Sequence, residues 1–279
     1  MNKLFIIEGI PGSGKTTIAK KISEYLSNSI KTNLYCEGDL HPADLAWCAC
    51  IPIDSFDEII GRFQNYKNEI NNNMYIENGY AIVAYTQFPI EDKELYKLFE
   101  SYEVYDNRVS FDLYTRLHLE RWQRFSKRAQ ELQETNVFEC SYLQNHVNEL
   151  MFFHNLSENE INQYLLQLIE PTKNLNPVLF YLDQPDVYGT ISRVSNIRTN
   201  RDGEKEWMNR VIEFIENCPY GICHNLKGFD GMVKAFEARK QIELSVVNKL
   251  PITTYIIRNE NYNWDGVWNN IRHKISVQI

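Results

Sequence analysis

The sequence predicts an α/β fold: a three-layer α/β/α sandwich with a parallel central sheet, a helical lid and a β-hairpin insertion. Three observations predict it. A phosphate-binding signature joins the first strand to the first helix. Apolar runs short enough for strands alternate with segments of helical periodicity. Several of those runs close on a carboxylate, at the edge where parallel sheets gather their chemistry.

The signature is Gly9-Ile10-Pro11-Gly12-Ser13-Gly14-Lys15-Thr16, a complete G-x-x-x-x-G-K-[ST] (Walker A) loop. The apolar run Leu4-Phe5-Ile6-Ile7 before it suits a buried strand, and Thr17 to Leu26 after it has a helical period. Strand, loop, helix is the context the motif requires. The glycines let backbone N–H groups turn inward around phosphate oxygens, and the helix N-terminus adds the positive end of its dipole. The expected nucleotide-binding residues are Gly12, Ser13, Gly14, Lys15, Thr16 and Thr17. Lys15 reaches the β/γ-phosphates, and the Thr16 hydroxyl ligates Mg²⁺. ATP and Mg²⁺ are the expected cofactors, and the sandwich is that of a P-loop NTPase.

The remaining elements follow in order. Residues 3–8 form the first strand, about 14–28 the first helix, and 32–37 a second short strand. From 38 to 52 the chain is read as irregular, with Pro42 and Pro52 as breakers. Ser55-Phe56-Asp57-Glu58 has the form of a capping box, and Phe56, Ile59, Ile60, Phe63 and Ile70 mark an apolar helical face. Met74-Tyr75-Ile76 and the run from Tyr80 to Tyr85 flank Asn78-Gly79, a hairpin turn. A hairpin inside an alternating chain reads as an insertion over 74–88. Helices are expected over 91–100 and about 111–134, the second carrying Arg116, Arg121, Arg124, Lys127 and Arg128. Residues 136–143 read as a central strand. Ser157 and Glu160 cap a helix that ends before Pro171. An apolar strand over 177–183 ends in Asp183. Helices at about 185–195, 204–216 and 231–248, a last strand at 252–258 and an amphipathic helix at about 264–273 complete the chain. A single domain over 1–279, with a lid at about 193–206, is expected.

The 279 residues, 43% hydrophobic and 13% aromatic, suffice for a large core in one domain. No apolar run approaches the roughly 18 residues of a membrane span, so no membrane partner is expected. The first strand begins so early that a cleavable leader would take the phosphate loop with it, and the expected location is the cytoplasm. Six cysteines, with Cys48/Cys50 and Cys218/Cys223 lacking partners at zinc-like spacing, read as buried reduced thiols. A net charge of −8 argues against a long nucleic-acid track but leaves room for local arginines around a phosphate.

Phosphoryl transfer asks for positioning, charge neutralisation and a group to take the acceptor's proton. Glu139, closing Val-Phe-Glu, sits where a carboxylate reaches Mg²⁺ directly or through water. Asp183 reads either as a metal-binding acid or, with Gln184-Pro185-Asp186 after it, as the cap of the next helix. Glu37-Gly38-Asp39-Leu40-His41 places two acids where Glu37 or Asp39 acts as general base or orients a hydroxyl. Trp47 either stacks on a planar substrate or packs in the core. Arg193, Arg198 and Arg201 lie in a segment suited to a mobile lid that offers guanidinium groups to the transferring phosphate. Tyr262, Trp264 and Trp268 stand to cover either the adenine or a subunit interface; a homodimer is compatible with the sequence.

At this point the pattern resembles the P-loop kinases of the thymidylate kinase and deoxynucleoside kinase group. Glu8-Gly9 resembles the Glu-Gly of thymidylate kinases. Leu34-Tyr35-Cys36-Glu37, with Trp47 downstream, is similar to the strand-2 motif of deoxynucleoside kinases, whose Glu is the general base and whose Trp lies near the nucleoside. Phe138-Glu139-Cys140-Ser141 resembles their Glu-Arg-Ser motif, and Tyr181-Leu182-Asp183-Gln184-Pro185-Asp186 with the three arginines resembles their lid. The likeness runs from residue 3 to about 210. It departs at Cys140, where the family has arginine, and at Gly38, where it has proline. The hairpin and the Asp39-Leu40-His41-Pro42 loop are outside the pattern.

The resemblance and the residues together imply an ATP-dependent phosphotransferase acting on a small-molecule acceptor, nucleoside- or nucleotide-like in preference. The competing readings are a nucleotide-dependent regulatory ATPase or switch, an antibiotic-modifying kinase of the chloramphenicol phosphotransferase kind, and a polynucleotide 5′-hydroxyl kinase. A GTPase would carry Asn-Lys-x-Asp; Asn248-Lys249-Leu250-Pro251 lacks the Asp.

Overall fold

The computed structural model describes residues 2–132, 134–200 and 202–276. The strands are β1 (Leu4–Glu8), β2 (Thr32–Tyr35), β3 (Ala49–Pro52), β4 (Met74–Glu77), β5 (Tyr80–Val83), β6 (Thr135–Glu139), β7 (Val178–Asp183) and β8 (Thr253–Arg258). The α-helices are α1 (Lys15–Ser27), α2 (Ile53–Arg62), α3 (Lys67–Asn72), α4 (Lys93–Ser101), α5 (Phe111–Glu131), α6 (Gln144–Asn148), α7 (Glu158–Ile169), α8 (Val187–Ile197), α9 (Glu206–Asn217), α10 (Pro219–Cys223), α11 (Gly228–Val247) and α12 (Trp264–Ser276). They fall into two units, Met1–Leu34 with Ser126–Ile279, and Tyr35–Phe125.

The first unit is built on a five-stranded sheet in the order β2-β6-β1-β7-β8, with parallel pairing of β1 to β6, β1 to β7 and β7 to β8. β1, β6 and β7 are buried along their whole length, as strands covered on both faces must be. Phe5, Ile7, Phe180 and Leu182 form one face with Ile18 and Ile22 of α1 and Val267 and Ile271 of α12. On the other face Tyr181 donates its hydroxyl to Glu243 of α11 (2.6 Å), and Arg239 pairs with the same carboxylate (2.9 Å). This is the P-loop α/β/α arrangement. The chain leaves β1 toward β2 on one side and later places β7 and β8 on the other. The carboxyl end of β1 is therefore a topological switch point, where such sheets bind ligands.

The second unit contains an antiparallel sheet in the order β3-β5-β4. Its hairpin turns on Asn78 (φ 48°) and Gly79 (φ 81°), both left-handed as a type I′ turn demands. Ile51, Phe56, Ile59, Ile70, Val83, Leu95 and Phe99 pack in its core. Arg121 is buried; it ion-pairs with Glu77 and donates to the His41 carbonyl (2.5 Å) and the Tyr75 hydroxyl.

Four local expectations are corrected. Residues 49–52 form β3 despite Pro52, because β3 is an edge strand and proline closes it without breaking a ladder. α2 starts at Ile53, directly after Pro52, so Ser55 lies inside the first turn and caps nothing. β6 ends at Glu139 rather than at residue 143, because the next amides turn to another acceptor. Asp183 does not cap α8; Asp186 does, accepting the Gly189 N–H at 2.8 Å. None of the six cysteines is in a disulfide: Cys48, Cys50, Cys140 and Cys218 are buried, Cys36 is half-buried and Cys223 exposed. Among the described residues no helix is long and apolar enough to cross a membrane.

Candidate phosphate and metal site

The loop from Gly9 to Thr16 leaves the buried end of β1 and enters α1 at Lys15. Its tight course depends on two glycines. Gly9 (φ 144°) runs so close to β7 that a β-carbon would stand 2.6 Å from the Leu182 carbonyl oxygen. Gly14 (φ 87°) lies under the indole of Trp264, 2.4 Å from where a β-carbon would be. Gly12 faces α8, within 3.1 Å of Thr190 and 3.3 Å of Val194 by the same measure. Ser13 is buried, and its N–H donates to the Ile10 carbonyl (3.2 Å). Thr17 is exposed on the first turn of α1.

Lys15 is buried, and its ammonium donates to the Ile10 carbonyl at 3.1 Å. The cation is thus folded over its own loop, on a carbonyl that an anionic ligand can displace. Thr16 donates its hydroxyl to Glu139 Oε1 at 3.0 Å. Two cis ligands of an octahedral ion with bonds of roughly 2.0–2.1 Å lie about 2.9 Å apart. The hard oxygen pair Thr16–Glu139 therefore fits Mg²⁺, at the mouth of the phosphate loop. The Cys140 thiol also donates to Glu139 Oε1 (3.1 Å), and Cys140 itself is held left-handed, φ 65°.

Asp183 has a different occupation. Lys240 pairs with it at 2.6 Å and donates to the Gln184 carbonyl at the same distance, while Arg258 approaches the other oxygen at 3.4 Å. Its charge is taken up by two cations. Nothing local announced Lys240; the pair joins two elements distant in the chain.

Of the lid arginines, Arg193 lies on α8 and stacks over the Tyr262 ring at 4.1 Å. The Tyr262 hydroxyl meets Thr190 Oγ1 at 3.2 Å, so Arg193 and Tyr262 belong to the wall that touches Gly12. Arg198 ends α8 and stacks on Trp207 (4.9 Å) instead. Arg201 lies outside the described residues. Tyr262 and Trp264, read from the sequence as cover for the adenine or for an interface, flank the phosphate loop.

In the sequence Glu8 is legible as a strand-ending acid and as the first residue of the Glu8-Gly9 pair noted above. It is fully buried, and its carboxylate accepts the N–H groups of Tyr142 (2.8 Å), Leu143 (2.9 Å) and Gln144 (3.1 Å). Burial pushes its pKa up to about 8, against those three donors, which favour the anion. An acid inside an otherwise apolar strand was the signal.

In the second unit Glu37 accepts the Trp47 indole N–H at 3.1 Å. Trp47 is 50% exposed at a left-handed φ of 58°, so it is not a core residue. Asp39 instead accepts the Cys36 N–H (2.7 Å), closing a local turn. Gln87 donates to the Gly38 carbonyl (3.0 Å) beside them.

No protein-family model and no curated protein matches this sequence. Among solved structures the chain is similar to a thymidylate kinase from Ehrlichia chaffeensis, with 12% identity, 99% of this chain and 100% of that one covered, and a TM-score of 0.43. It is also similar to a thymidylate kinase from Candida albicans, with 14% identity, coverage of 99% and 92%, and a TM-score of 0.43.

Proposed function

We propose that this chain is an ATP-dependent phosphotransferase that moves the γ-phosphate to a small-molecule acceptor, nucleoside- or nucleotide-like in preference. The observation that carries the reading is the Thr16–Glu139 oxygen pair, 3.0 Å apart, beside Lys15 on a complete phosphate loop. A pure anion-binding turn has no use for a carboxylate there, because it would repel the ligand. A carboxylate belongs where a cation accompanies the phosphates.

The roles follow from the chemistry of each group. The amides of Gly12 to Thr17 hold the phosphates at the N-terminus of α1. Lys15 exchanges the Ile10 carbonyl for phosphate oxygens. Thr16 and Glu139 hold Mg²⁺, which when bound neutralises charge on the β- and γ-phosphates. Arg193, stacked on Tyr262, and Arg198 offer guanidinium groups to the transferring phosphate; Arg201, read from the sequence in the same role, lies outside the described residues. Glu37 takes the acceptor's proton and Trp47 offers a flat apolar face to a planar acceptor. Asp39 is the alternative base; its carboxylate closes a local turn on Cys36, whereas Glu37 is bonded to the exposed Trp47. Both units are taken as parts of one kinase, with the 74–88 hairpin as an insertion.

The test is ADP release from Mg-ATP with and without pooled nucleosides, nucleoside monophosphates, sugars and aminoglycosides. One pool should raise release well above the acceptor-free rate. Lys15→Ala should lower the stimulated rate by roughly 10²-fold or more, the scale of losing a charge aimed at the transition state, with an unchanged circular dichroism spectrum. Near-normal turnover in that variant sinks the assignment. Equal hydrolysis in every pool favours the regulatory ATPase.

A further inference from the structure

Glu8 does no work in the scheme above, yet its surroundings are built around it. It is 0% exposed in the centre of the sheet, the one charged residue of β1. Its Oε1 accepts two amide protons, from Tyr142 and Leu143, and its Oε2 a third, from Gln144. Those amides follow the end of β6 and open α6, where neither a strand ladder nor a helix supplies them with acceptors.

Two residues separate this grip from Glu139. In that gap Cys140 is held at φ 65°, a conformation that costs a non-glycine residue about 1–3 kcal/mol and persists only where the surroundings impose it. β1 imposes it from both sides. The Ile7 carbonyl accepts the Cys140 N–H (3.2 Å), and the next residue, Glu8, takes the three amides beyond. The same strand then runs directly into the phosphate loop. One strand thus sets both the loop that carries Thr16 and the turn that aims Glu139.

We propose that Glu8 is a positioning residue for the divalent-cation site: its carboxyl group clamps the turn after β6 and thereby holds Glu139 in register with Thr16. The proposal rests on the reading of Thr16 and Glu139 as the metal-binding pair.

Mn²⁺, followed by its electron paramagnetic resonance signal in the presence of ADP, is the probe. Binding of ADP in EDTA, measured by calorimetry, is the control for the loop itself. Glu8→Asp withdraws the carboxylate by one methylene and Glu8→Ala removes it. Both should weaken Mn²⁺ binding roughly 10- to 100-fold, the usual cost of losing the support of a metal ligand. Glu8→Gln keeps an oxygen for Tyr142 and Leu143 and should lose no more than about threefold. ADP affinity without metal should stay unchanged in all three. Wild-type Mn²⁺ affinity in Glu8→Asp overturns the proposal, and so do equal losses with and without metal, which mean a collapse of the loop. If Glu8→Ala fails to fold, Glu8→Asp decides. A wild-type protein that binds Mn²⁺ with ADP but transfers no phosphate overturns the phosphotransferase reading and leaves the Glu8 comparison standing. One that binds neither overturns both.

Discussion

Glu8 also shows how a single buried carboxyl reports on stability. Its native pKa stands at about 8, while in the unfolded chain it titrates near 4.5. Between those values the folded state holds one proton more than the unfolded state, so stability falls as pH rises. The contribution is complete below 4.5 and gone above about 8. Glu103, pushed up to about 7 mainly by burial, acts with the same sign. His41, lowered to about 3 by burial, acts with the opposite sign but only below its ordinary value of 6.5. From pH 6.5 to 8.5 the carboxyls should therefore dominate. Thermal melts should show the wild type losing more Tm over that window than Glu8→Gln, with a residual slope from Glu103. Equal slopes in the two proteins contradict the assignment. At this scale the reading of the sequence was strongest for residues whose role is chemical and local. Lys15 and Thr16 are named by their own motif, whereas Lys240 was invisible because its partner Asp183 is fixed by a strand that only the sheet brings near.

At the scale of elements, the hairpin between β4 and β5 is the case where local sequence and structure agree most closely. Asn78 and Gly79 both take positive φ, and Gly79 has nothing within 4 Å of a built β-carbon. Steric room is thus not the issue, and the backbone conformation alone is. Gly79→Ala should destabilise the protein by about 1 kcal/mol, the usual cost of forcing a β-carbon into the left-handed region, without altering nucleotide affinity. A denaturant midpoint equal to wild type would count against the type I′ turn. β3 is the opposite case. Ala49-Cys50-Ile51-Pro52 carries a breaker and no alternation, so nothing in it announces a strand. It pairs because Tyr80–Val83 presents a complementary edge. The capping box at Ser55 failed for a related reason: Pro52 places the helix start three residues earlier than the side chains suggest.

At the scale of the whole molecule, nucleotide binding must appear as stability. A ligand that binds only the folded state stabilises it by about 2.7 kcal/mol at a hundred times its Kd. Mg-ADP should therefore raise Tm by several degrees in the wild type and leave Lys15→Ala nearly unmoved; an identical shift in both places the ligand elsewhere. The net charge of −8 belongs to this scale too, and supports a small acceptor over a long polyanion. By itself the amino-acid sequence determined the phosphate loop, the alternation of strands and helices and the strand-ending acids. Each of these is written in consecutive residues or in a short period. The sequence already named Glu139; only the tertiary structure brings it to the Thr16 hydroxyl. Thr16 and Glu139 are 123 residues apart. Their meeting depends on β6 lying against β1, on the left-handed turn at Cys140 and on the carboxyl of Glu8. Asp183, read from the sequence either as a metal-binding acid or as a helix cap, is instead paired with Lys240. Pairings of this kind depend on long-range packing, which no local pattern of residues encodes.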